Sequence, residues 1–393
     1  MASQLTKGAA SDASAEAGVS AKPVATDGKP VTRAVATSIT GAPMISRQRS
    51  ERARSFVFRG GTRISGTVIA CDATSGGELL FLSNAANARA LSPSHSRKAR
   101  TRGTRTQILT TTETLTLSGA EGERLRARAL VVAVGRPFTL GALRLELLPS
   151  GHLPGAAVLS CETGTHRILY AGAARLGTPV WGAAAGAVRA ADSLCIDATF
   201  GHPRFAFVSR DEAEARACRF ARETRDAGRA PVLLAGAFGP AQDLAPALAA
   251  AGWKLRGHRS IIAAADAYRR AGVALPSVGR FAGALANDEL LLWPPSDRGA
   301  KGLGQLGPMR VAWVSGWVCD ENAGERLPAD ELIPYSSHAD FAGLLAYVEA
   351  SGAREVAAEH GFAEDFAAAL RERDIDAYVL GPPRQISLFG ADQ

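Results

Sequence analysis

Residues 150–173 read SGHLPGAAVLSCETGTHRILYAGA. Two apolar, strand-forming runs, AAVLSCET and HRILYAG, flank a Gly-Thr break, and His152 directly follows the preceding apolar run LRLELLPSG. Short runs bounded by Gly, Ser or Asp read as strands. The same punctuation continues outward. TRISGTVIACDA, ELLFLSNA, QILTTTETLTL and LRARALVVAVG come before, and SLCIDATFG comes after. Residues 55–205 therefore predict many short strands and few helices, which suggests stacked sheets with helices outside.

Residues 206–329 change character. DEAEARACRFARETRDAG has a helical period and ends in Gly. PVLLAGAFG, ELLLWPPS and MRVAWVSGW read as buried strands, while AQDLAPALAAAGW and AADAYRRAG read as helices. Strand–helix alternation predicts a small α/β domain on a parallel sheet. Residues 330–393 alternate again: DFAGLLAYVEASG helix, EVAAEHG strand, AEDFAAALRERD helix, AYVLG strand. Residues 1–54 are rich in Ala, Ser, Thr and Gly and end in a basic run with Arg47, Arg49, Arg52 and Arg54. They are expected to be a disordered basic tail.

Composition narrows the class. The chain has 393 residues, 46% hydrophobic and 21% charged, enough for ordinary cores and too long for one average domain. No apolar run reaches the roughly 18 residues of a membrane span. The amino terminus has no apolar signal core, and Asp12, Glu16 and Asp27 argue against a transit peptide. Five dispersed cysteines without a CxxC fit buried thiols in a reducing cytoplasm better than disulfides or thiolate-bound zinc. Cytoplasmic location is the expectation.

Net charge is +7, and residues 56–150 alone carry thirteen Lys/Arg against six Asp/Glu. Arg97, Lys98, Arg100, Arg102 and Arg105 concentrate that surplus in SHSRKARTRGTRT. Such a run is either a phosphate-backbone contact or a solvated loop. Two weaker signals read as structure. Gly302, Gly304 and Gly307 match GxGxxG but precede a strand, so the dinucleotide mechanism does not apply. Trp313 and Trp317, on one strand face, favour packing over base stacking.

Four segments place a proton- or metal-competent group just after an apolar strand: SGHLPGA with His152, CIDATFG with Asp197, YSSHADF with His338 and AEHGF with His360. Strand ends are where such folds gather site residues. In order and spacing these segments resemble the motifs of metallo-β-lactamase-fold nucleases. PVLLAGAFGPAQDLAPAL resembles the β-CASP insertion, and YRRAGVALP and VSGWV resemble bacterial DNA-ligase-associated exonucleases. The resemblance spans about residues 56–385. It implies an αββα sandwich with an inserted β-CASP α/β domain at 206–329.

It also implies a reaction, phosphodiester hydrolysis by two zinc ions ~3.5–4 Å apart. The sequence departs from the family where the ligands belong. Asn84, Ala86, Ala88 and Arg89 stand in place of the HxHxDH ligands, and Ala173 stands in place of the bridging Asp. His152 and His360 remain of ligand type, and the family assigns them to different metals. One imidazole per ion is too little where three or four protein ligands are usual. The resemblance assigns His338 to leaving-group protonation and Asp197 to orienting the metal site, roles that become vestigial here.

Two expectations follow. The first is a catalytically inactive pseudo-nuclease without cofactor, binding nucleic acid or a partner such as an active nuclease or ligase. The second is an active DNA/RNA exonuclease with a rebuilt site holding Zn or Mn.

Overall fold

The computed structural model describes residues 53–74, 77–91, 106–299 and 302–382. The basic stretch 97–105 and nearly all of the expected tail lie outside them. The described residues form a mixed α/β structure with three sheets.

The first sheet runs in chain order: β1 (Phe56–Phe58), β2 (Thr62–Ile64), β3 (Ile69–Cys71), β4 (Leu79–Phe81), β5 (Gln107–Thr110) and β6 (Ala129–Val131). It is antiparallel through β3 and parallel thereafter. The second sheet contains β7 (Phe138–Leu140), β8 (Leu143–Pro149), β9 (Ala157–Thr163), β10 (His166–Gly172) and β11 (Ser193–Asp197). Two late strands, β18 (Glu355–Glu359) and β19 (Asp376–Val379), complete it in the order β19-β18-β11-β10-β9-β8-β7.

These two sheets share a core. Phe56, Ile64, Phe81 and Leu109 of the first pack with Leu145, Leu159, Tyr170, Cys195 and Ala357 of the second. Alternation along β10 sends Ile168 and Tyr170 inward, while Leu169 and Ala171 face a different apolar layer. That layer is closed by Tyr347, Val348, Phe366 and Leu370 of helices Phe341–Ser351 and Ala363–Arg371. Beyond the first sheet, Ile108 packs under Leu115 and Leu125 of helices Thr112–Leu117 and Ala120–Arg126.

The third sheet comprises β12 (Ala230–Ala235), β13 (Lys254–Gly257), β14 (Val278–Arg280), β15 (Glu289–Trp293), β16 (Met309–Val314) and β17 (Glu331–Ile333). It is parallel throughout, in the order β14-β13-β15-β12-β16-β17, and reaches past residue 329. Leu233, Leu290 and Val314 pack under Phe220 and Leu248 of helices Arg210–Asp226 and Pro240–Ala250. Val232, Leu291 and Trp313 fill the opposite face. Burial on both faces explains why these strands read as continuous apolar runs.

Three expectations need correction. QILTTTETLTL is a strand only to Thr110. The Thr111 hydroxyl then accepts from the Thr114 N–H and starts a helix, so a cap overrides β-branched propensity. LRARALVVAVG is a strand only over Ala129–Val131, because its Leu125 and Arg126 close a helix, Ala120–Arg126, with Glu121–Arg124 and Glu123–Arg126 pairs at i,i+3. Trp313 and Trp317 do not share a strand face. Ser315 caps a 3₁₀ turn, Gly316–Cys319, which lifts Trp317 to 37% exposure while Trp313 stays buried. Among the described residues, no helix is long and apolar enough to cross a membrane.

Candidate functional site

Strands β10, β11 and β18 run parallel, and their carboxyl ends converge. Register pairs Asp197 with Glu359 and sets Tyr170 beside Cys195. β11 and β18 end in Asp197 and Glu359 after buried apolar residues, so both carboxyls emerge at one edge of the sheet.

Asp197 accepts through Oδ1 from the Thr199 N–H at 2.7 Å, and its Oδ2 lies 3.7 Å from His338 Nδ1. The His338 ring packs edge-on against His152, centroids 4.6 Å apart. His152 is 4% exposed, and its Nδ1–H donates to the Ser337 carbonyl at 3.2 Å. Burial, then the neighbouring His338, holds the His152 pKa down to about 3. A neutral imidazole so placed is a packed, hydrogen-bonded residue. The Arg175 guanidinium bonds the Ser336 carbonyl at 2.9 Å and adds to the positive field on His152.

A second group adjoins it. The Tyr170 hydroxyl lies 2.9 Å from Glu359 Oε1 and 3.1 Å from Asp72 Oδ2. Thr62 donates its hydroxyl to the other Glu359 oxygen, and Ser83 donates both its hydroxyl and its N–H to Asp72. Burial pushes both carboxyls above the ordinary range, against the pull of these donors. The acids are thus spent on internal hydroxyls. His360, next in sequence, is largely exposed, with Nε2 3.9 Å from Glu359 Oε1. Asp72, Tyr170, Glu359, His360 and Phe362 border one cavity of about 1040 Å³. Asp72 (φ 44°) and His360 (φ 65°) are two of three non-glycine positive-φ residues among those described. Strain of that kind concentrates at functional sites.

The structure brings together Asp197, His338 and His152, and links His360 to them through Glu359 and its neighbour in register, Asp197. Asn84, 3% exposed, donates to the Ser83 hydroxyl at 3.0 Å and accepts from the Ala86 N–H at 2.9 Å, so it closes a local turn. Ala86 is exposed, Ala173 is half-buried, and Ala88 packs with Leu82, Ile108 and Leu115. The Arg89 side chain and residues 97–105, with Arg97, Lys98, Arg100, Arg102 and Arg105, lie outside the described side chains. Asn84, Ala86, Ala88 and Ala173 offer no imidazole or carboxylate at the positions where the resemblance expects zinc ligands. Among the described residues, no three His, Cys, Asp or Glu side chains are arranged to hold a metal ion.

Sequence reasoning missed Asp72, Tyr170 and Glu359. Asp72 directly follows β3 and Glu359 ends β18, whereas Tyr170 lies within β10 and carries no such strand-end signal.

No protein-family model matches the chain. Over 245 residues, 62% of this chain, it is 30% identical to a protein of Opitutus terrae described as "Probable DNA ligase". The match covers 24% of that protein, so the chain spans about a quarter of the length of the curated relative it matches.

Proposed function

We propose that this chain is a nucleic-acid-binding pseudo-nuclease: a metallo-β-lactamase-like αββα scaffold with a β-CASP-like insertion and a dismantled metal centre. The observation that carries this reading is the closure of Asp72 and Glu359 by Tyr170, Thr62 and Ser83. A dication would have to compete with those donors for both carboxylates, and it would find Asn84, Ala86, Ala88 and Ala173 where the family supplies ligands.

Nucleic acid as the partner is supported by the ligase-named relative and by the basic run 97–105. Clustered Arg/Lys binds phosphates largely through counterion release, so affinity falls steeply with salt. The test is binding of the full chain to single- and double-stranded DNA and RNA across a salt series, with a parallel cleavage assay in Zn²⁺ and Mn²⁺. Salt-sensitive binding without cleavage is expected. The 3.7 Å contact between Asp197 and His338 favours one competing reading, a hydrolase with a rebuilt site. Cleavage lost in His338→Ala would establish it.

A further inference from the structure

Beside the dismantled site stands an aromatic ledge. Phe200 and Phe205 are buried beneath it, and Trp317 packs on them at ring distances of 5.1 and 6.0 Å. Phe362 continues the surface, 4.8 Å from Phe205 and 6.3 Å from Trp317. The Arg204 guanidinium lies 5.5 Å from the centre of the Phe362 ring.

The ledge is built rather than incidental. Gly316 lets the 3₁₀ turn lie flush on the rings, since a Cβ there would come within 2.6 Å of Phe200 and 2.5 Å of Phe207. Trp317 is therefore presented with 37% of its surface open. The ledge is also continuous with the site. Phe362 lies two residues after His360 in the wall of the same cavity, and Phe200 touches the edge of His338 at 6.1 Å.

Its electrostatics select the occupant. Asp320 and Glu321 stand 3.8 Å from Arg204, and Asp365 is exposed nearby in the cavity wall. These acids disfavour a phosphate laid on the rings. Arg204 over Phe362 is itself faced by Asp320 and Glu321, so the open indole of Trp317 suits a neutral flat ligand whose phosphates run elsewhere. An unpaired nucleobase has that chemistry, and stacking on an indole is tolerant of sequence.

We propose that Trp317, backed by Phe200 and flanked by Phe362, stacks one unpaired base of a single-stranded nucleic acid beside the cavity. This rests on the nucleic-acid reading above and deepens it.

The test is fluorescence anisotropy of the full chain with a labelled single-stranded oligonucleotide, as DNA and as RNA, scanned with one abasic position at a time. Wild type should lose about fivefold or more in affinity at one abasic position. Trp317→Ala should lose a similar factor on the intact strand and become indifferent to that abasic position. Trp317→Phe should keep most of the affinity, which separates stacking from folding. If wild type binds but no abasic position matters, or the two losses multiply, the ledge is only packing and the nucleic-acid reading stands. Absence of binding to either oligonucleotide at low salt overturns both.

Discussion

His152 and His338, 186 residues apart in sequence numbering, meet edge to face with ring centroids 4.6 Å apart. One is buried and bonded to the Ser337 carbonyl, and the other is partly open and faces Asp197. The pair ties the loop after β8 to the segment leading into helix Phe341–Ser351. His152→Ala should therefore act as a core mutation. A cavity and an orphaned carbonyl together cost about 2–4 kcal/mol. His338→Ala, at a part-exposed position, should cost under about 1 kcal/mol. Denaturant unfolding of both variants checks the ordering, and equal costs would contradict it.

Tyr170 bridges two carboxyl groups. Tyr170→Phe keeps the ring on Phe81, 6.0 Å away, and removes the hydroxyl shared by Asp72 and Glu359. Leaving those buried acceptors short of a donor should destabilise the fold by about 1–3 kcal/mol. A thermal unfolding temperature unchanged from wild type would show that the acids are held otherwise.

Glu355 anchors the first described strand. Burial alone would raise its pKa, but the hydroxyls of Ser55 and Ser193 and the Ser55 N–H outweigh it, and the carboxyl sits below its usual 4.5. A lowered folded pKa means that the stabilisation is complete above pH about 4.5 and is lost as pH falls through the folded value. Glu355→Gln should weaken the protein at pH 7 and flatten the acid limb of its stability curve. A variant with the same acid slope as wild type would refute this.

The basic run should govern salt dependence. Replacing Arg97, Lys98, Arg100, Arg102 and Arg105 with Gln should weaken nucleic-acid binding across all sequences. It should also shallow the log K against log salt slope by up to about 4, at roughly 0.7–0.9 per phosphate contact. An unchanged slope would make the run a bystander.

Much of the architecture was legible because burial imposes period. PVLLAGAFG, ELLLWPPS and MRVAWVSGW read as buried strands and are β12, β15 and β16 of the parallel sheet. What failed was local. Thr111 turned a β-branched stretch into a helix through one hydroxyl, and Ser315 with Gly316 diverted Trp317 out of its strand. Caps of this kind are one-residue events that periodicity averages away. At the site, His152, Asp197 and His338 stood out in the sequence as imidazoles and an acid after apolar strands, and the structure sets them side by side. Asp72 and Glu359 escaped because their meaning lies in partners, Thr62 and Tyr170, far away in the chain.

The central claim is that the strand-end acids are closed to cations. Elemental analysis of the full chain, purified without chelator and dialysed against Zn²⁺ and then metal-free buffer, tests it most directly. The account predicts well under one zinc retained per chain, whereas two retained zinc ions per chain, with cleavage of nucleic acid that His338→Ala abolishes, would contradict it.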